Sequence, residues 1–255
     1  MGLTGEVMIK VADVHKSLGG KPVLAGVNLE VRKGETMVVI GQSGAGKSVL
    51  LKLIIGLMTP ERGEIYLDGH EITRLSGEER LRLNRKIGMV FQAAALFDSM
   101  TVAENVAFGL ERHCRLGPQE IKKVVSEALE MVGLRGIENL MPHQLSGGMK
   151  KRVGLARAIA YRPEIMLYDE PSTGIDPIRA DAINEMINKF KQELKVTSIV
   201  ITHDMASAYR VADRMAMLYG GRIIEVGSPE EFRRSRNPVI QQFIRGEAHG
   251  PIESW

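Results

Sequence analysis

Between Thr36 and Leu57 an apolar, β-branched run (Thr36 to Ile40) passes into Gly41-Gln42-Ser43-Gly44-Ala45-Gly46-Lys47-Ser48 and then into an apolar helical stretch, Ser48 to Leu57. The spacing Gly41-x4-Gly46-Lys47-Ser48 is that of a strand, a phosphate-binding loop and a helix in order. It demands a buried strand with the loop at its C-terminal end, hence an α/β core. The glycines let backbone N–H groups converge on phosphate oxygens without Cβ clashes. The helix that begins there adds the positive end of its dipole. Lys47 is expected to reach the β- and γ-phosphates of a nucleotide and Ser48 to ligate Mg²⁺, with Val49 ending the cofactor-binding run.

A second apolar strand, Ile165 to Tyr168, delivers Asp169 and Glu170 at its end. Two adjacent carboxylates there are poor core design unless a divalent ion sits nearby. Asp169 is expected to hold Mg²⁺, and Glu170 to polarise an attacking water.

Around these motifs, strand-like runs (Met8 to Val11, Val27 to Val31, Thr197 to Ile201) alternate with helical ones. A hairpin is expected at Glu64 to Ile72 about Asp68-Gly69, and another around Gly220-Gly221. Pro118 starts a helix whose apolar residues recur at i, i+3, i+4 and i+7, ending at Gly133. Ile178 to Leu194 reads as a helix with Ile183, Met186, Ile187, Phe190 and Leu194 on one face. Residues 94–160 read as a largely helical insertion in one domain spanning 8–240, followed by a tail at 241–255. Across the stretch from Pro238 to Trp255, Val239, Ile240, Phe243 and Ile244 suggest one or two amphipathic turns that steady a dimer, with Trp255 at the end. The expected fold is α/β: a P-loop NTPase (RecA-like) core with a mainly parallel sheet, an antiparallel β subdomain and an inserted helical subdomain.

Composition narrows the setting. A net charge of +3, with both signs interleaved, argues against a chain built to coat nucleic acid. Cys114 is the only cysteine in 255 residues, so no internal disulfide forms and a reducing, cytoplasmic setting is expected. No signal-peptide pattern opens Met1 to Val14, and Val49 to Met58 is too short to cross a bilayer. Work at a membrane would require docking to something embedded there.

Leu145-Ser146-Gly147-Gly148-Met149, followed by Lys150-Lys151-Arg152-Val153 and Ala156-Arg157-Ala158, resembles the signature region of ABC ATPases. It lies between the phosphate loop and Asp169-Glu170, as in that family, although Met149 stands where the family usually has Gln. The resemblance implies that Ser146, Gly147 and Gly148 cap the γ-phosphate held by an opposite subunit, and hence a homodimer with two ATPs at its interface. It also identifies Gln92 with the Q-loop glutamine that contacts Mg²⁺ and water, and His203 with the switch histidine at the γ-phosphate. Asp176 matches the loop that crosses the interface. The implied reaction is in-line attack of water, with Glu170 as base and Lys47 stabilising charge. The aromatic residue that usually stacks on adenine is replaced by Leu18. Base–aromatic stacking is worth about 1–3 kcal/mol, so weak discrimination among bases is expected. His15 is the alternative stacking ring.

Phe91-Gln92-Ala93-Ala94-Ala95-Leu96-Phe97-Asp98-Ser99-Met100-Thr101-Val102, Met141-Pro142-His143-Gln144 and Asp176-Pro177-Ile178 further resemble the lipid-transport branch, also called the Mla system. That branch works with a polytopic membrane permease and an Mce-domain lipid-binding protein at the cytoplasmic face of the bacterial inner membrane. Leu96 and Phe97 are candidates for an apolar groove receiving a permease helix. The alternatives are an ABC transport ATPase for another substrate, or a nucleic-acid- or ribosome-linked ABC ATPase.

Overall fold

The computed structural model describes residues 5–75 and 77–253. The chain packs as two compact units, one of residues up to Arg80 together with Thr197 onward, the other of Leu81–Val196. Strands β1 (Val7–Leu18) and β2 (Lys21–Arg32) form an antiparallel hairpin about Gly19-Gly20. Both are far longer than their apolar runs suggest, because alternate positions face outward. Strand β3 (Thr36–Ile40) is buried at every position and leads through the glycine-rich loop into α1 (Lys47–Ile54). The helix stops before the expected Leu57: Gly56 follows at φ 71°, a left-handed terminator, and Leu57 is left 65% exposed. Strands β4 (Arg62–Leu67) and β5 (His70–Glu71) close the expected hairpin at Asp68-Gly69, both left-handed. The order β2-β1-β4-β5 gives the antiparallel sheet. Helix α2 (Gly77–Asn84) follows, with no buried residue and no apolar period to announce it.

The second unit begins with β6 (Ile87–Val90). Three helices follow, α3 (Val102–His113), α4 (Pro118–Met131) and α5 (Gly147–Ile159), packed on one another and joined by a 3₁₀ turn at Pro142–Gln144. Thr101 and Glu104 form a reciprocal cap that starts α3. Pro118 occupies the first turn of α4, whose Val125, Ala128 and Leu129 are buried as the periodicity requires. Strand β7 (Ile165–Asp169) pairs in parallel with β6, and α6 (Pro177–Leu194) buries Ile183, Ile187 and Phe190, with Met186 and Leu194 half-buried.

The chain then returns to the first unit through β8 (Thr197–Ile201), α7 (Met205–Val211), β9 (Arg214–Tyr219) and β10 (Arg222–Gly227). There β3 pairs in parallel with both β8 and β9, and β9 turns back on β10. Two short helices end the chain, α8 (Pro229–Arg234) with Phe232 fully buried and α9 (Pro238–Arg245) with Ile240 fully buried. Beyond them the tail doubles back on its own unit. The Gln242 amide brackets Ile252, accepting from its N–H at 2.7 Å and donating to its carbonyl at 3.1 Å. Tyr219 donates to Pro251 O, and the Gln42 side chain reaches Glu253 O at 3.5 Å. Trp255, like Met1 to Thr4 at the other end, lies outside the described residues.

Candidate functional site

In the first unit the loop from Gly41 to Gly46 leaves the C-terminal end of β3. A Cβ on Gly41 would lie 2.4 Å from the carbonyl of Leu218, so the close approach of β9 admits only glycine. Gly46, at φ 100°, is the left-handed residue that turns the chain into α1, and a Cβ there would strike Val23 at 2.8 Å. Lys47 is buried, and its ammonium curls over the loop to donate to Gly41 O at 2.7 Å and Gln42 O at 2.9 Å. The loop therefore wraps a fixed positive charge, with α1 starting beside it. Exposed Ser43 and Gly44, and half-buried Gln42, Ala45, Ser48 and Val49, form its outer side. A cradle of N–H groups, an ammonium and a helix N-terminus fits a polyphosphate.

His203 belongs to the same unit. Val39 pairs with Ile201, so Gly41 and His203 leave neighbouring strand ends, and His203 is exposed. The adjacent Asp204 caps α7, accepting from Ala206 N and Ser207 N. Leu18, at the tip of the β1–β2 hairpin, is 41% exposed. His15 Nε2 lies 3.0 Å from Asp13 Oδ1, so the ring of the alternative stacking residue is tied to a carboxylate. That hydrogen bond, ahead of the Arg62 charge, holds Asp13 below the usual carboxylate range.

In the second unit Gln92, Asp169 and Glu170 lie at the C-terminal ends of β6 and β7, while Ser146 opens α5 and Asp176 opens α6. Val90 pairs with Tyr168, which sets Gln92 and Asp169-Glu170 on adjacent strand exits. The Gln92 side chain is exposed and Asp169 is half-buried. Glu170 is buried, sits at φ 50°, and accepts from the Thr173 hydroxyl at 3.0 Å. A left-handed glutamate is a strained residue of the kind held at functional sites. Ser146 caps α5, accepting from Met149 N at 3.3 Å, with exposed Gly147 and half-buried Gly148 in the first turn. Asp176 also supports the fold, since its carboxylate caps α6 through Arg179 N and pairs with the Arg179 side chain.

Two positions to which the motifs assign no role matter here. Thr173 orients the Glu170 carboxylate. Lys151 donates its ammonium to the carbonyls of Gln92, Pro171 and Thr173. Burial pulls that ammonium below the usual lysine range, and the Glu170 charge opposes the shift. Neither role has a sequence signal, because Lys151 meets backbone carbonyls, which carry no residue identity, and Thr173 meets Glu170 only through the folded turn.

Near Phe97 the second unit has a cleft of about 420 Å³, lined by Met89, Phe91, Phe97, Phe108, Arg157 and Tyr161 among others. Phe97 and Phe108 stack at 4.5 Å, and the Arg112 guanidinium lies 3.6 Å from the Phe108 ring centre. Tyr161 donates to Ile87 O at 2.6 Å; burial pushes its hydroxyl up to about 12, against the opposing charge of Arg157. Leu96 is half-buried and does not line the cleft, and Val102, Val106 and Ala107 are core.

Among the described residues no helix is long and apolar enough to cross a membrane. The family described as ABC transporter matches residues 24–173. The chain is 40% identical to the Haemophilus influenzae intermembrane phospholipid transport system ATP-binding protein MlaF, over 96% of this chain and 93% of that protein. It is 46% identical to the Carboxydothermus hydrogenoformans methionine import ATP-binding protein MetN, over 86% of this chain and 65% of that one. In structure it resembles the dimeric ATP-binding cassette MJ0796, solved in a post-hydrolysis state with ADP and Pi, with TM-score 0.81 and 34% identity, covering 87% of this chain and 99% of that one. The chain belongs to the ABC transporter family, as one of its ATP-hydrolysing cassettes.

Proposed function

We propose that this ATPase powers phospholipid transport between bacterial membranes, working as a homodimer on a polytopic permease with an Mce-domain partner at the cytoplasmic face of the inner membrane. The observation that carries the cargo is the similarity to MlaF over 93% of that protein's length. The likeness to a dimeric ATP-binding cassette at 34% identity supports the dimer. The aromatic cleft around Phe97 supports a permease docking helix.

In this reading Lys47 and the loop from Gly41 to Val49 bind the phosphates of ATP. Oxygen donors Ser48, Gln92 and Asp169 suit Mg²⁺, a hard cation. Mg²⁺ supplies charge neutralisation at the phosphates. Glu170 takes the proton of the attacking water, His203 holds the γ-phosphate, and Ser146, Gly147, Gly148 and Asp176 serve the ATP of the opposite subunit. Glu170→Gln should lower turnover by about 10²–10⁴-fold while ATP binding persists. Normal hydrolysis by that variant would defeat the assignment. A second reading, import of an amino acid, rests on the similarity to MetN. Purification from native membranes separates the two: bound phospholipid and an Mce-domain protein favour the first, an amino-acid-binding protein the second.

A further inference from the structure

Helix α5 grips the loop after β6 along one stripe of residues spaced three apart. Lys151 Nζ donates to Gln92 O at 3.3 Å. One turn on, Gly154 lies so close to Ala94 that an added Cβ would meet its carbonyl oxygen at 3.3 Å. A further turn on, the Arg157 guanidinium donates to Ala94 O at 2.8 Å and Ala95 O at 2.7 Å. The gripped loop holds two successive left-handed alanines, Ala94 at φ 59° and Ala95 at φ 47°. Such a conformation is strained for a residue with a side chain and persists only where its surroundings enforce it. The same loop forms one wall of the aromatic cleft, through Phe91, Ala95 and Phe97.

Within the stripe it is Lys151 that also reaches the turn after β7. Its ammonium donates to Thr173 O at 2.7 Å and Pro171 O at 3.0 Å. Its three N–H groups thus meet three carbonyls, one from the loop whose Phe91 and Ala95 flank the cleft and two from the turn in which the Thr173 hydroxyl donates to the Glu170 carboxylate. We propose that Lys151 is the positioning residue that sets the Glu170 turn according to the placement of the 92–95 loop, so that a partner seated in the cleft acts on hydrolysis through this one ammonium. The proposal rests on the reading of Glu170 as base and of the cleft as the permease seat.

The test compares Lys151→Met, Lys151→Arg and Glu170→Gln in the full chain with Mg-ATP. Loss of the ammonium should lower kcat about 10- to 100-fold, the scale of a misplaced catalytic group. KM for ATP should stay within about twofold, because the phosphate loop is untouched. Arginine, which still donates to carbonyls, should recover much of the rate. In the Met variant amide exchange should quicken together at 91–95 and 170–174, an observation that stands even if turnover is too low to measure. A Met variant with wild-type kcat, or equal losses in Met and Arg variants with raised KM, would overturn the positioning role while leaving Glu170 as base. Full turnover by Glu170→Gln would instead overturn the base assignment, and this proposal with it.

Discussion

Asn105 is the fully buried pivot on which the Phe97 wall of the cleft hangs. Its Oδ1 accepts from Phe97 N at 2.8 Å, and its Nδ2 donates to the carbonyls of Phe97, Met100 and Thr101 at 3.0–3.1 Å. Asn105→Asp keeps the shape and the first bond, but turns a donor that serves three carbonyls into an oxygen that faces them. Losing two N–H donors costs roughly 1 kcal/mol each, and an uncompensated buried carboxylate brings the total to about 3–5 kcal/mol. For a chain of this size that lowers the melting temperature by roughly 6–20 °C at neutral pH. The sign of the pH effect follows from the same contacts. Burial among carbonyls raises the folded-state pKa of the new carboxyl above its unfolded value of about 3.9. The penalty is therefore complete well above that raised pKa and shrinks as pH falls through it, when protonation restores a donor. Melts of variant and parent chain at pH 5, 6, 7 and 8 should show the gap narrowing toward acid. A gap under about 2 °C at pH 7, or one that does not change with pH, would refute the reasoning.

Three further outcomes are expected. Phe97→Glu places a carboxylate in the aromatic cleft beside Phe108 and should abolish co-purification with a permease while ATP binding persists; undiminished co-purification would count against the docking role. With Leu18 in place of a stacking ring, ATP, GTP and CTP should be hydrolysed with less than about tenfold discrimination, whereas strong ATP preference would defeat that idea. Tyr161, pushed up to about 12 in the fold against about 10 in the unfolded chain, keeps its proton where the unfolded chain loses it. Stability must therefore fall as pH rises between those values. Tyr161→Phe, which forfeits the bond to Ile87 O, should be less stable than the parent chain at pH 8, with the deficit shrinking by about pH 11 in urea titrations.

Motifs were legible where chemistry demands particular side chains. Gly41 is required by a carbonyl 2.4 Å from where its Cβ would stand, and Asp68-Gly69 by its turn, so both could be read from residue type alone. The antiparallel strands exceed their apolar runs because β1 runs on through half-buried polar positions such as Asp13 and Lys16. Helix α2 has no apolar stripe, and nothing marks it as a helix. At the site, the roles of Lys151 and Thr173 carry no sequence signal, because their partners are backbone carbonyls and a carboxylate brought near only by folding. The packing of the tail on its own unit, with Ile252 buried, has no signal in its sequence beyond the apolar residues.

That folded-back tail matters for anyone handling the protein. The carbonyl of Glu253 sits beside Gln42, within the phosphate loop, and Ile252 is anchored by the Gln242 amide. An affinity handle fused directly after this segment would start its path next to the nucleotide cradle and pull on a buried residue. A reporter dye on the same segment, by contrast, would be placed where the arrival of a polyphosphate changes its surroundings, giving a direct optical readout of nucleotide occupancy.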